Sequence, residues 1–323
     1  MNNSITRSAA ILLTALALPL SATAQSFPSK PIRIVVPYPP GGVDGFTRVM
    51  MPRMTEVLGQ PIVLENRGGA NGAIGAELVA REVPDGHTLL FVASSTVIGA
   101  VKMMKDIRFD PIKDFTPISR MYDNRRIITV HSSLPAKSLK ELIEYAKRNP
   151  GKLSFGSSGI GSSFHLDGEI LAAAAGINIV HVPYKGTGPM LTDLAAGRVE
   201  IGLGATSSFE QHIRAGKMRP IAVFEPKRYV KYPDLPTVAE VLPGTVKSPS
   251  WIALMGPAGM PRPIVDRLHA AVIEGMNAPK AKAYFDDTGT EIIGGTPEDL
   301  AQRIKEDLVG MENLLNRLGI KPE

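Results

Sequence analysis

The chain has 323 residues, with 36 Lys and Arg against 31 Asp and Glu and no cysteine. At about 100–200 residues per domain this length predicts two domains, and an apolar fraction of 44% with 21% charged residues excludes a disordered chain. The lack of cysteine excludes disulfides, thiolate nucleophiles and zinc–thiolate sites. The formal charge of +5 includes no block of like charges, so we expect no nucleic-acid partner.

The first 24 residues have the pattern of a secretory signal. Arg7 precedes the apolar run Ala9–Leu20, and Ser21–Ala24 has the small residues of a cleavage site. The apolar run is too short to cross a bilayer, which takes about 20 residues. We therefore expect cleavage near Ala24 and an exported, soluble protein whose charge falls from +5 to +4 with the loss of Arg7.

The rest of the chain alternates β-branched runs with amphipathic stretches, which is the pattern of an α/β protein. The first unit is predicted as strand, helix, strand, helix and strand over Ile32–Pro37, Asp44–Leu58, Pro61–Glu65, Ala73–Glu82 and Thr88–Ala93. With right-handed crossovers, this order gives half of a doubly wound sheet.

A second unit begins near Arg126 and repeats the alternation. Its strands are predicted at Ile127–His131, Leu153–Gly156, Ile179–Val182, Ile201–Leu203 and Arg219–Phe224. The helices between them are predicted to start at a capping box over Ser138–Glu141, at Ser162 or Ser163, at Gly188 and at a cap over Ser208–Gln211.

The tail is predicted to hold one strand, Trp251–Met255, and helices at Pro261–Asn277, Pro279–Asp287 and Pro297–Leu318. One strand cannot form a sheet, so we expect the tail to pack on the first unit. This gives lobe 1 at residues 25–125 plus 226–323, lobe 2 at 126–225, and a hinge at Tyr122–Arg126 and Phe224–Pro226. Two consecutive domains are the alternative.

Four turns rich in Gly, Ser or Thr join a strand to a helix, at Tyr38–Asp44, Ser157–Ser163, Lys185–Gly188 and Thr206–Ser208. Backbone N–H groups at a helix N-terminus favour an anion such as a carboxylate or a phosphate. Open α/β sheets bind ligands at the carboxyl ends of their strands. An ordinary helix cap is the alternative for any single turn, but four turns together predict a ligand site.

Enzyme signatures are absent from these turns. Gly156–Gly159 lacks the Gly-x-Ser-x-Gly spacing, and Gly159–Gly161 is followed by Phe164 where a dinucleotide fingerprint needs Gly or Ala. Ser162 and His165 lie on one helix face, but no acidic partner orients the histidine, so we favour a cap or pocket-lining role. The six histidines lack metal-ligand spacing. We therefore expect no catalytic residue, no cofactor and no metal.

Several blocks, in this order, resemble the substrate-binding proteins of tripartite tricarboxylate transporters, of the Bug or TctC type. The blocks are Val36–Gly42, Leu58–Arg67, Pro84–Leu90, Gly156–Gly159 with His165-Leu166, Val182–Gly186, Pro233–Glu240 and Pro257–Gly259. The likeness covers essentially the whole chain after the signal.

The resemblance implies a type II periplasmic-binding-protein fold in which two doubly wound α/β lobes, joined by a two-crossing hinge, close on a small carboxylate. It implies a periplasmic, monomeric receptor that delivers its ligand to the membrane permease subunits of the transporter. The alternatives are a ligand-sensing accessory protein of a two-component system and, less favoured, a periplasmic enzyme using Ser162 and His165.

The candidate binding residues are chosen from the turns and from the resemblance. The resemblance implies that the carboxyl group of the ligand is held partly through ordered water. They are Tyr38, Pro39, Gly41, Gly42, Val43, Asp44, Ser94, Ser95, Ser157, Ser158, Gly159, Gly161, Ser162, Ser163, His165, Tyr184, Thr187, Gly188, Thr206 and Ser207. Two departures leave the identity of the carboxylate open. Gly45 stands where the family usually has Asp, with Asp44 one place earlier, and Glu200–Thr206 lacks the family's Asp and aromatic residue.

Overall fold

The computed structural model describes residues 27–39 and 44–321, which form two β-sheets with helices on both faces. The predicted signal lies outside these residues. The strands are β1 Ile32–Val36, β2 Ile62–Asn66, β3 Thr88–Ala93, β4 Phe115–Asp123, β5 Arg126–His131, β6 Ser154–Ser157, β7 Val180–Pro183, β8 Ile201–Ala205, β9 Met218–Val223, β10 Trp251–Pro257 and β11 Glu291–Gly295.

The helices flank these strands, and none in the described part of the chain is both long and apolar enough to cross a membrane. They are α1 Asp44–Leu58, α2 Ala73–Ala80, α3 Val101–Met103, α4 Leu139–Arg148, α5 Ser163–Ala175, α6 Thr187–Ala195, α7 Thr206–Arg214, α8 Val238–Val241, α9 Arg262–Asn277, α10 Pro279–Thr288 and α11 Pro297–Leu318. A 3₁₀ turn covers Ala70–Gly72, and a π-helix covers Ser95–Ala100.

The first sheet has the strand order β2-β1-β3-β10-β4-β11, and the second has β7-β6-β8-β5-β9. The strands β1, β2 and β3 are parallel, as are β6, β7 and β8, whereas β10 and β5 run antiparallel to both of their neighbours. Both sheets are mixed because β5 and β10 enter from the other sheet rather than through a helical crossover. Two strands of the tail thus complete the first sheet.

Each sheet has its own apolar core. Because side chains alternate along a strand, Ile32 and Ile34 of β1 pack with α1 and α9, whereas Val35 packs with α2 and α11. The second sheet packs against α4, α5 and α8 on one face and against α6 and α7 on the other. Helix α11 contacts both lobes, since its residue Leu314 packs against a core cluster of each sheet.

The buried guanidinium of Arg126, at the start of β5, holds the connections between the sheets together. It donates to the carboxylate of Asp167 on α5, to the hydroxyl of Ser248 at 2.9 Å and to the carbonyl oxygen of Ser248 at 2.8 Å. The Ser248 hydroxyl donates in turn to Asp167 at 2.9 Å. Beside this network the two crossings pair with each other, since the N–H of Asn124 donates to the carbonyl oxygen of Ser250.

The segment after β9 stays with the second sheet. The N–H of Val223 donates to the carbonyl oxygen of Pro236, and Val238 is buried in the second sheet's core. The chain rejoins the first sheet at Trp251. The lobe limit at residue 226 stays a prediction, although the contacts of Val238 favour a later one.

Several predicted elements differ from the structure. The tail holds two strands instead of the one predicted. The additional strand, β11, pairs with β4, and the sequence pattern revealed neither of these two strands. Helix α7 begins at Thr206, directly after β8, so Ser208 is inside the helix instead of capping it. Ser138 caps α4 by accepting the N–H of Glu141, but the Glu141 carboxylate accepts the N–H of Lys137 rather than that of Ser138, so the predicted capping box is only half formed.

Two helical glycines test the packing of α5. A Cβ on Gly168 of α5 would overlap the buried ring of Phe155, whereas a Cβ on Gly310 of α11 would meet no atom within 4 Å. We expect Gly168→Ala to lower the free energy of unfolding by about 1–3 kcal/mol through overpacking. We expect Gly310→Ala to raise it by about 0.5–1 kcal/mol, because alanine is the better helix former. Urea unfolding measures both changes, and equal stability of the two variants would contradict the tight contact of α5 with β6.

Candidate functional site

The predicted turns follow the carboxyl ends of the strands in both sheets, and they meet between the lobes. A Cβ on Gly99, in the π-helix after β3, would overlap the carbonyl oxygen of Gly161, in the turn before α5. Across the same cleft, a Cβ on Gly186 would lie 4.0 Å from Cγ of Pro39. The first sheet's turns therefore face those of the second sheet at close range. The residues Gly41, Gly42 and Val43 and the side chain of Asp44 lie outside the described part of the chain.

Tyr38 connects the turns of the first sheet to one another through hydrogen bonds. Its hydroxyl accepts the N–H of Ala93 at 2.9 Å and lies 2.7 Å from Oγ1 of Thr96. The amide of Asn66 donates to its carbonyl oxygen. Burial raises the pKa of Tyr38, so the hydroxyl stays protonated. Tyr38 thus joins the end of β1 to that of β3 through its phenol and to that of β2 through its carbonyl oxygen.

The turn after β2 was not among the predicted site elements, yet it lies at the cleft. Four consecutive residues, Gly69, Ala70, Asn71 and Gly72, have positive φ angles of 135°, 48°, 50° and 89°. The Asn71 amide donates to the carbonyl oxygen of Ser95 at 3.0 Å, and Thr96 donates to the carbonyl oxygen of Asn71. Such strained backbone is concentrated at functional sites in proteins. The glycine pair at 68–69 and the dipeptide Asn71-Gly72 were the available sequence signal.

The predicted serines of the second sheet differ in what they bind. Ser162 caps α5, since its hydroxyl accepts the N–H of His165 at 3.2 Å. The Ser163 hydroxyl donates to the carbonyl oxygen of Pro249 at 2.7 Å, in the crossing segment. Ser157 accepts the N–H of Gly159 at 3.1 Å. The hydroxyl of Ser162 therefore meets the backbone of His165 and not its imidazole, which removes the Ser–His pair that an enzyme would need.

Other candidate side chains are already bonded. The Tyr184 hydroxyl donates to Asp193 at 2.8 Å, and burial, with help from Asp193, raises its pKa to about 12. The Thr206 hydroxyl donates to the carbonyl oxygen of Arg125 at 3.2 Å. Both side chains fix the position of the helices α6 and α7 relative to the strands.

Four candidate hydroxyls have no hydrogen-bond partner among residues 27–39 and 44–321. They belong to Ser94, which is 1% exposed, and to the half-buried Ser158, Thr187 and Ser207. Ser94 follows β3 of the first sheet, and Ser158 follows β6 of the second, in the turn before α5. Thr187 and Ser207 lie in the first turns of α6 and α7. These hydroxyls, with the backbone N–H groups of the helix N-termini, could donate to an anion. Within the described residues there is no cluster of three metal-ligating side chains.

A stacked histidine pair supports the turn between β6 and α5. The rings of His165 and His181 lie 3.9 Å apart at 10°, and Nε2 of His181 is 2.7 Å from the Ser157 hydroxyl. Burial lowers the pKa of His165 to about 4, while burial together with His165 lowers that of His181 to about 3. Both rings are therefore neutral at pH 7. Sequence reasoning missed His181, because it lies on β7, 24 residues after Ser157.

A cavity of about 390 Å³ lies elsewhere, between α11 and the crossing segment at Val246–Trp251. None of the predicted binding residues lines it. One wall is Trp251, the single tryptophan, which is 1% exposed and donates to Asp307 at 2.6 Å. Trp251 is therefore a core residue, and the cavity is distinct from the predicted ligand site.

Two α/β lobes whose predicted binding turns face each other are the architecture of a two-lobed solute-binding protein. The family described as tripartite tricarboxylate transporter family receptor, or TctC, matches residues 46–320, and the chain belongs to this family. The chain is 36% identical over 308 residues to a UPF0065 protein in the tcbD–tcbE intergenic region of a Pseudomonas species. The aligned region covers 93% of this chain and 91% of that protein. The chain is 32% identical over 314 residues to the protein BugT of Bordetella pertussis, covering 96% and 95%.

Two solved structures from Rhodopseudomonas palustris are similar over almost the same length. One, with adipate, has a TM-score of 0.87 and 33% identity, and covers 92% of this chain and 100% of that chain. The other, MatC with bound malate, has a TM-score of 0.83 and 30% identity, and covers 90% and 100%. The matches confirm the predicted family and the type II periplasmic-binding-protein fold. They also confirm that the chain is a binding protein and not an enzyme.

The close approach of the two lobes depends on a missing side chain. We expect Gly99→Ala to hold the lobes apart, because its methyl group would occupy the place of the Gly161 carbonyl oxygen. Small-angle X-ray scattering should then give a larger radius of gyration than for the parent protein. The control is Gly310→Ala, which meets no atom. An unchanged radius in Gly99→Ala would contradict the contact between the lobes.

The buried histidines make stability depend on pH. Their pKa values are about 4 and about 3 in the folded protein, against about 6.5 in the unfolded chain. The unfolded chain therefore binds protons first as the pH falls. The stability that the neutral rings provide is complete above about pH 6.5 and is lost from there down to about pH 3. We expect the free energy of unfolding to fall less steeply over this range in His165→Asn/His181→Gln than in the parent, as measured by urea unfolding.

Proposed function

We propose that the chain is a periplasmic receptor that captures a small carboxylate between its lobes and delivers it to the membrane permease of a tripartite tricarboxylate transporter. The observation that carries the proposal is the similarity to two solved structures of the same fold, one with adipate and one with bound malate. Both of these ligands are short dicarboxylates.

The chemistry of the cleft supports an anionic ligand. The helices α5, α6 and α7 begin at the carboxyl ends of β6, β7 and β8, so the positive ends of three helix dipoles lie at the same edge of the second sheet. The unbonded hydroxyls of Thr187 and Ser207 lie at the N-termini of α6 and α7, and that of Ser158 lies in the turn before α5. The buried, unbonded hydroxyl of Ser94 follows β3 in the first lobe. Hydroxyl donors and backbone N–H groups bind a carboxylate without a cationic side chain.

Closure links capture to delivery. A ligand shifts the lobes toward a closed form only when it binds that form more tightly than the open one. Turns from both lobes border the cleft, so a carboxylate between them gains contacts on closure. The closed pair of lobes then presents one combined surface to the permease. The signal predicted at residues 1–24 would place the protein in the periplasm, where this delivery takes place.

Binding to the purified protein without its signal tests the proposal. We expect adipate or malate, or another short dicarboxylate from a graded series, to release heat in isothermal titration and to raise the melting temperature. A ligand at about 100 times its Kd adds about 2.7 kcal/mol to the free energy of unfolding. If no carboxylate in a broad panel produces heat or a thermal shift, the proposal is wrong.

Two serine variants test the place of binding. Loss of one neutral hydrogen bond costs about 0.5–1.5 kcal/mol, so we expect Ser94→Ala to weaken binding by roughly two- to tenfold. The matched control is Ser29→Ala, at an exposed position outside the cleft, which should bind as the parent does. Delivery is tested separately by uptake of the bound acid in cells with and without the permease.

A further inference from the structure

We infer that the stacked pair of His165 and His181 positions the turn Ser157–Gly161 for the ligand, that it does so as two neutral hydrogen-bond acceptors, and that a proton on the pair releases the turn. The role in ligand binding rests on the proposed function. The role in holding the turn rests on the contacts of the pair alone.

His181 fixes the first half of the turn. Its Nε2 lies 2.7 Å from the hydroxyl of Ser157, and that hydroxyl accepts the N–H of Gly159 at 3.1 Å. The hydroxyl has a single proton, and its other possible acceptor, the carbonyl oxygen of Gly159, lies 3.3 Å away. The shorter contact assigns the proton to a bond with Nε2, which requires Nε2 to be an acceptor. His181 thereby orients Ser157, which in turn orients Gly159.

His165 fixes the second half. Its Nδ1 accepts the N–H of Gly161 at 3.3 Å, so the ring proton is on Nε2, which faces Oε1 of Glu169 at 3.7 Å. Gly161 has a φ of 72° and makes the close contact with Gly99 in the opposite lobe. The imidazole thus holds the residue at which the two lobes approach each other.

The two rings support each other in a short stack. His181 lies between His165, at 3.9 Å, and the fully buried ring of Phe155, at 4.9 Å. Within residues 27–39 and 44–321, the titratable group that faces the two imidazoles is Glu169, whose own pKa is raised by burial. Burial and, to a smaller extent, the adjacent ring of His165 disfavour a positive charge on His181, and burial disfavours one on His165, so both acceptors are available at neutral pH.

A proton would convert an acceptor into a donor. An imidazolium at His165 would turn an N–H toward the N–H of Gly161, and one at His181 would leave the Ser157 hydroxyl without its acceptor. Either change separates the turn from its support. The hydroxyl of Ser158 and the N-terminus of α5 would then lose their fixed position beside the cleft.

Isosteric substitutions separate the hydrogen bonds from the stacking. Gln at position 181 places an amide oxygen where Nε2 lies, and Asn at position 165 places one where Nδ1 lies, and neither takes up a proton. His181→Phe keeps the ring but removes the acceptor. At pH 7.5 we expect His181→Phe to weaken carboxylate binding by about tenfold, as for one or two lost hydrogen bonds, and His181→Gln to stay within about threefold of the parent.

The pH profile distinguishes positioning from simple packing. We expect the affinity of the parent, relative to His165→Asn/His181→Gln, to fall as the pH is lowered from about 5 toward 3, through the folded-state pKa values of the pair. Protonation of the ligand is common to both proteins and cancels in the ratio. Equal affinity of His181→Phe and the parent, or a ratio that does not change with pH, would overturn the inference.

A measurement without ligand keeps the inference separate from the proposed function. In ¹H–¹⁵N spectra of the unliganded protein we expect His181→Phe to shift the amide of Gly159 and to speed its hydrogen exchange, and His181→Gln to preserve both. If the parent binds no carboxylate but these spectra change as expected, the proposed function fails and the positioning role stands. If the Gly159 amide is the same in all three proteins, the positioning role is wrong.

Discussion

A buried arginine is the constraint on which the two-lobed structure depends. The guanidinium of Arg126 is 1% exposed and links the first strand of the second sheet to α5 and to the segment that returns to the first sheet. Burial raises the pKa of Asp167, and Arg126 and Ser248 offset only part of this rise, so the pKa is about 6. Removing one member of such a pair leaves a buried charge uncompensated, which lowers the free energy of unfolding by about 3–5 kcal/mol. These contacts tie the return segment to the second lobe up to Ser248, and they predict that the lobes bend at the residues around Asn124 and Ser250.

With the connections fixed in this way, the turns at the ends of the strands form the proposed binding site. Those of the first lobe are tied together by Tyr38, and those of the second lobe by the histidine pair. In both lobes an aromatic or imidazole ring anchors a turn rich in glycine, and the hydroxyls beside it remain unbonded. Stability comes from two apolar cores, since the chain has no cysteine with which to form disulfides. Rigid supports and free donors are thus provided by different residues.

Local signals in the sequence were enough to predict much of the fold, but they predicted less of the candidate site. Pro297 and Gly319 set the ends of α11, and Gly59 follows the end of α1, because proline and glycine act within a single turn of chain. Strand β11 escaped notice because it ends in two glycines and pairs only with β4. His181 escaped for a different reason, since Phe155↔His181 is a register pair between parallel strands that no spacing along the chain reveals. The turns could be located from sequence, but the side chains that hold them depend on which strands become neighbours.

The long final helix gives the lobes a link that the chain connectivity does not provide. Leu314 packs against core clusters of both sheets, and Leu318, one turn later, packs against the second alone. Any rotation of one lobe against the other must slide this last turn over its neighbours, so the helix end contributes to the free-energy difference between open and closed forms. Apparent affinity scales with the fraction of the protein in the competent form. Substitutions at the end of α11, far from any bound molecule, can therefore set how tightly the receptor holds its ligand while leaving the choice of ligand unchanged.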